Sequence, residues 1–166
     1  PTSDSYERAM GMITDLQKRF EEKAYQESKM YYRLTDGLFP GDFYRACIVN
    51  FQNFAKNYPD SHYNEELAFR LVEVSYTYAD NSIFSKKEER LNQSLEFGKD
   101  FLRKYPESSY GSNIGTLITQ AETALADHVK VKQEYEKRTA EAKKAAEEEE
   151  MRNIEASEAL KKSENN

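Results

Sequence analysis

The chain has 166 residues, 33% charged and 38% hydrophobic, with no Trp, 12 Tyr and 9 Phe, and a net charge of −6. That length holds one domain or a few units of a repeat array, and an aromatic-rich, charge-dense composition suits thin helical layers better than a thick globular centre. The acidic balance gives no field toward phosphate backbones or anionic lipid, so nucleic acid is not expected as a partner; apolar runs such as Ala46–Val49 are far shorter than the roughly 18 to 20 residues of a membrane-spanning helix; and the single Cys47 excludes an intrachain disulfide.

From Asp4 to Leu34, apolar residues recur at Tyr6, Ala9, Met10, Ile13, Leu16, Phe20, Ala24, Tyr31 and Leu34, with Ser28 filling the one gap. Steps of three and four predict one helix of about thirty residues. Ser3 or Ser5 is positioned to cap its start, and Asp36, Gly37, Pro40 and Gly41 end it with turn chemistry. Phe43 to Tyr58 carries Tyr44, Cys47, Ile48, Phe51, Phe54, Ala55 and Tyr58 on one face, which predicts a second amphipathic helix. Pro59 lacks an N–H and forces Tyr58 out of helical geometry, while Asp60 and Ser61 offer acceptors for the next start.

A third helix is expected from about Tyr63 to Ala79, a longer loop over Asn81–Lys87, and a fourth helix from about Glu88 to Lys104, stopped by Pro106. The fifth starts near Tyr110 and packs through Ile114, Leu117, Ile118, Ala121, Ala124 and Leu125, with Gly111 and Gly115 weakening its first turn. After His128 the chain becomes half charged. Val129 to Asn166 carries nine basic and ten acidic residues, so its charges can pair along a helix, but its sparse apolar residues make no continuous stripe. A charged helical extension over residues 129–166, frayed at its end, is expected beyond a repeat array over residues 1–128.

One phrase occurs twice, as Phe54, Tyr58, Pro59, Asp60, Ser61, Tyr63 and as Phe101, Tyr105, Pro106, Glu107, Ser108, Tyr110, at an offset of 47 residues (58 to 105). Cys47 and Ser94 stand twelve residues before the two prolines, so the same layer of each unit carries a small side chain. A fixed period with helical patterning inside it is the signature of stacked units that cannot bury their apolar faces alone. Pro1-Thr2-Ser3 looks like the second half of a third copy, which makes the chain read as the C-terminal half of a longer protein.

Paired helices of this kind resemble the tetratricopeptide repeat, whose unit is about 34 residues; the surplus is expected in the Asn81–Lys87 loop and in longer helices. The expected fold is therefore all-α, a right-handed α-solenoid of about five helices with the first one very long. More specifically, "FQNFAKNYPDSHYNEELAFRLVEVSYTYADNS", "KKEERLNQSLEFGKDFLRKYPESSYGSNIGTLI" and the long first helix with "FEEKAYQESKMYYRL" running into "GDFYRA" are similar to the C-terminal half of the BamD family. These are outer-membrane assembly lipoproteins, here in the form found in Bacteroidetes-type bacteria. The resemblance covers about Pro1 to Leu125. Leu38-Phe39-Pro40 departs from it as an insertion, and no lipid-bearing Cys is present.

What the resemblance implies is a non-catalytic scaffold of the machine that assembles β-barrels, at the periplasmic face of the outer membrane. Its partners would be the periplasmic domains of the barrel-forming, Omp85 or BamA-type subunit, with unfolded outer-membrane proteins as a further class. Membrane attachment would come only through an N-terminal lipid anchor. The alternative is a Tol-type periplasmic coordinator, which shares the repeated phrase, or a generic protein-binding repeat module; the loop after Ala79 favours the first reading.

No catalytic constellation is present. His62 and His128 lie far apart and Cys47 has no neighbouring base, so neither a metal cluster nor a nucleophile and base pair is expected, nor any cofactor. Gly98, Gly111 and Gly115 make no phosphate loop. Tyr31-Tyr32 and Tyr76 with Tyr78 are read as core packing rather than a peptide platform, His62 as an exposed turn residue, and Glu147 to Glu150 as a solvated face. On the second helix, Arg45, Val49, Asn50 and Asn53 point away from the apolar stripe, and Val49 is oddly apolar for such a surface; these four are the candidate protein-binding residues.

Overall fold

The computed structural model describes residues 2–37 and 41–164. They form five helices: α1 (Thr2–Leu34), α2 (Gly41–Asn57), α3 (Asn64–Asp80), α4 (Phe84–Lys104) and α5 (Gly111–Glu164). Among the described residues there is no strand. The fold is the all-α stack of tetratricopeptide-like helix pairs that the repeat predicts. It divides into two compact units, Pro1–Leu125 and Ala126–Asn166.

In the first unit each helix packs on its neighbours in the chain: α1 on α2, α2 on α3, α3 on α4, with a smaller α1 to α3 contact. Three apolar clusters follow one another. Tyr25 of α1, Tyr44, Cys47, Ile48, Phe51 and Phe54 of α2, and Leu67 and Val74 of α3 form the first. Phe69 and Val72 join Phe101 and Ile114 in the second, and Ala79, Leu91, Leu95 and Ala121 make the third. Helix α3 is thus buried on two sides, as the middle layer of a stack must be. Each fully covered aromatic or branched side chain contributes about 1.5–3 kcal/mol, so no single layer is stable without its neighbours.

The repeated phrase forms the same joint twice. In the first, the N–H groups of Tyr58, Ser61, Asn64 and Leu67 donate to the carbonyls of Phe54, Tyr58, Ser61 and Tyr63 at 2.9, 3.1, 3.2 and 3.0 Å. In the second, those of Tyr105, Ser108, Gly111 and Ile114 donate to Phe101, Tyr105, Ser108 and Tyr110 at 2.8, 3.1, 3.1 and 3.0 Å. Ser61 Oγ and Ser108 Oγ accept from the N–H two residues on, at 3.2 and 3.1 Å, a serine turn that precedes the helix rather than an N-cap within it. The closing tyrosine of each joint then stacks on the preceding layer: Tyr63 on Tyr25 with centroids 3.7 Å apart, and Tyr110 on Phe69 at 4.3 Å. One difference lies at the first residue of the following helix. Asn64, buried in the first, donates from Nδ2 to the carbonyls of Tyr58 at 2.7 Å and Pro59 at 2.9 Å, where the second has Gly111.

Two sequence expectations are corrected. The loop after α3 is short, because α4 begins at Phe84: Ile83 is extended, and its carbonyl accepts from Lys86 and Lys87 N–H at 2.9 and 3.1 Å. The surplus of the 47-residue period therefore lies in the helices. Ser3 and Ser5 lie inside α1, which begins at Thr2, so neither is its cap. The fifth helix and the charged extension are one continuous helix, with no Pro or Gly after Gly115 to interrupt it. Pro1, the Leu38-Phe39-Pro40 insertion and the last two residues, on which the frayed end falls, lie outside the described residues.

The second unit has no apolar cluster of its own among the described residues. Val131, Tyr135, Met151 and Ile154 are exposed, and Lys137–Glu141, Lys143–Glu147 and Lys144–Glu148 pair one turn apart at 3.8–4.0 Å. Such exposed pairs contribute about 0.3–0.5 kcal/mol each, and the Ala, Glu and Lys content supplies the rest through helix propensity.

Candidate docking site

Helix α2 turns one face inward through Tyr44, Cys47, Ile48, Phe51 and Phe54, all buried. Successive steps of four then align Arg45, Val49 and Asn53 along the outer face. All three are exposed, Val49 by 47%. Asn50 stands at the flank, half-buried, and meets α1: the Ser28 hydroxyl lies 2.6 Å from Asn50 Oδ1 and 2.9 Å from the Ala24 carbonyl. Ser28, at 1% exposure, is the small residue that fills the gap in the α1 stripe. Its size lets α2 approach, and its hydroxyl fixes the Asn50 amide.

The four residues singled out by sequence come together, with Tyr31 and Ala46, around one open surface depression of about 430 Å³. Tyr31 comes from α1 and also packs on the first apolar cluster, so it is both floor and core. Helix α1 is held beside α3 by a second set of polar contacts. Tyr25 Oη donates to Glu66 at 2.7 Å, Tyr32 Oη donates to Glu73 at 3.2 Å, and Arg70 Nη1 donates to Glu73 at 2.8 Å and to Tyr32 Oη at 3.3 Å. Ser61 and Tyr63 of the joint donate to Glu21 and Glu22. Burial, followed by the bond to Glu66, pushes the Tyr25 phenol up to about 12. The hydrogen bond from Tyr63 is the main cause that lowers the Glu22 carboxyl. These bonds hold α1 against α3 and the first joint, while the Ser28 to Asn50 bond ties α1 to the flank of α2 beside the depression.

Chemically the depression offers one guanidinium, two amides and an apolar centre. Arg45 forms no ion pair among the described residues, and its planar fork suits a carboxylate. The Asn50 and Asn53 amides suit main-chain groups of a partner, and Val49 with Tyr31 suits an apolar side chain. Nothing in it is a nucleophile. Cys47, on the opposite face, is fully buried, and burial pushes its thiol up to about 12, which leaves no thiolate at neutral pH.

The remaining candidates fall where packing explains them. His62 is exposed, with its ring 3.8 Å from that of Tyr63. Tyr78 lies between Tyr44, at 5.6 Å, and the Arg90 guanidinium, 3.8 Å from its ring centre, while Tyr76 packs on the third cluster. Glu147 and Glu148 pair with lysines. Among the described residues no group of three or more His, Cys, Asp or Glu is placed to hold a metal, and no helix is long and apolar enough to cross a membrane.

A family model described as YfiO, outer membrane lipoprotein, matches residues 2–153. The match runs well past Leu125, where the resemblance read from the sequence stops, and includes most of the charged extension. No curated protein matches the chain.

Proposed function

Because the chain belongs to the YfiO family of outer membrane lipoproteins, we propose that it is a non-catalytic scaffold of the machinery that assembles β-barrels in the outer membrane. It acts from the periplasmic face of that membrane, in a protein anchored there by an N-terminal lipid. Its partner is the periplasmic part of a barrel-forming, Omp85-type subunit, with unfolded barrel proteins as a further class. The docking surface is the depression of Arg45, Val49, Asn50 and Asn53.

The observation that carries this reading is Val49. A large aliphatic side chain, nearly half exposed, sits between polar groups on an otherwise hydrophilic helix face. Apolar centres rimmed by polar groups are what protein interfaces present. The Ser28 hydroxyl fixes the Asn50 amide at the edge of the depression, so docking there requires little ordering of that side chain. A photo-cross-linker at position 49 tests it: the expected adduct is with the periplasmic domains of an Omp85-type protein. No adduct, or an equally efficient one from exposed position 83, would count against the reading.

A further inference from the structure

Between α1 and α3, over the inward face of α2, lies another cleft, of about 210 Å³. Its floor is apolar: Phe51 of α2 and Leu67 of α3 are buried, and Tyr32 of α1 is half-buried beside them. Its rim is cationic. Lys29 and Arg33 stand one turn apart on α1, and Arg70 comes from α3. The one carboxylate in the lining among the described residues, Glu66, is already engaged by Tyr25 Oη at 2.7 Å. In a chain of net charge −6 this is a local reversal of sign. Lys29 and Arg33 form no ion pair among the described residues. Arg70 is held in place, because Nη1 donates to Glu73 and to Tyr32 Oη while the guanidinium lies 4.9 and 5.2 Å from the ring centres of Tyr32 and Phe69. Its Nε and Nη2 N–H groups have no partner among the described residues, and its side chain is 32% exposed. A fixed guanidinium thus keeps one edge of its fork unused.

We propose that this cleft binds an extended acidic segment of a partner chain, with an apolar side chain on the floor and carboxylates on the rim. The open edge of Arg70 suits a carboxylate through two parallel N–H···O bonds, and Lys29 with Arg33 offers a second carboxylate its counter-charge across the cleft. The floor decides against a bare anion: phosphate would gain nothing from Phe51 and Leu67, whereas an aliphatic side chain gains in proportion to the area it buries there. The rim decides against a purely apolar occupant, which would strip water from Lys29, Arg33 and Arg70 and return no hydrogen bond. An extended segment meets both demands, since its alternate residues point to one face. Helix α2 contributes only its inward Phe51, so this site and the docking face of α2 are separate.

The test titrates a fluorescent, C-terminally amidated peptide with Asp-Ser-Leu-Ser-Asp at its centre onto the full chain, followed by anisotropy. The expected result is saturable binding that Arg33→Glu weakens at least about tenfold and that Arg19→Glu leaves unchanged. Position 19 is exposed on the same helix, about 21 Å away along its axis, so its reversal alters the net charge equally from beyond a Debye length. Peptides with Asn in place of each Asp, or Ser in place of Leu, should bind at least about tenfold more weakly. Arg33 is exposed, so circular dichroism should show its variant folded, and Lys29→Gln, which should also weaken binding, is an independent check. Four results would overturn the proposal. These are no saturable binding, an equal loss with Arg19→Glu, undiminished binding of the Asn or Ser peptide, or displacement of the peptide by inorganic phosphate, which would leave a site for an anion only.

Discussion

Replacing Gly98 by Ala sets two effects of opposite sign against each other. Gly98 lies inside α4, where Ala gains about 1 kcal/mol in helix propensity. The added Cβ, however, would stand 2.8 Å from Cγ1 and 3.1 Å from Cδ1 of Ile118, and 3.8 Å from Cγ1 of Val72. Cγ1 moves only by rotation about χ1, and a helical isoleucine holds one χ1 rotamer about 90% of the time. Relief must come from parting α4 and α5, and overpacking of this kind costs about 1–3 kcal/mol. The clash wins. Gly98→Ala is expected to lose about 1 kcal/mol in urea unfolding, a fall in Tm of about 2–4 °C for a chain of this length. In an Ile118→Ala background the obstacle is gone, and the same substitution should stabilise by about 1 kcal/mol, a coupling of about 2 kcal/mol. Stabilisation by Gly98→Ala in the natural background, or an equal effect in both, would refute the reasoning.

The Tyr25–Tyr63 stack should show a coupling of about 0.5–1.5 kcal/mol in a double-mutant cycle with leucine at each position; zero coupling would mean that the stack does not brace the joint. Asn64→Ala strands the carbonyls of Tyr58 and Pro59 and should cost about 1–3 kcal/mol, with Asn64→Asp costing more because it turns a carboxylate toward both; equal losses by calorimetry would contradict this. Cys47 should resist aromatic disulfide reagents at pH 8 until the chain is unfolded. Cys47 and Tyr25 ionise at higher pH in the folded state than their ordinary values of 9.0 and 10.0. Their contribution is therefore complete below those values and is lost as pH rises through about 9 to 12. Urea midpoints should fall across that window, and less so in Cys47→Ala; a midpoint that rises there would overturn the assignment.

Most of the layer structure is legible because helix period, proline stops and the repeated phrase agree. The beginning of α4 is not, since Ser85, Lys86, Lys87 and Glu88 carry no apolar signal and the helix is set by the Ile83 carbonyl, a backbone matter. The continuity of α5 is hidden by a change in composition that is not a change in conformation: charged, Ala-rich sequence continues a helix as readily as an apolar one starts it. At the docking site, Val49 is visible as an apolar residue on a polar face, and Arg45 and Asn53 follow from spacing. Tyr31 is not, because its place beside Asn50 depends on how α1 packs on α2. The Ser28 gap in the α1 stripe is the one trace of that contact in the sequence.

Calorimetric titration of the full chain with the soluble periplasmic domains of an Omp85-type protein decides whether the outer face of α2 docks that partner. Saturable binding is expected, weakened at least about tenfold by Val49→Asp and unchanged by Ile83→Asp. Absence of binding, or the same affinity with Val49→Asp, would contradict it.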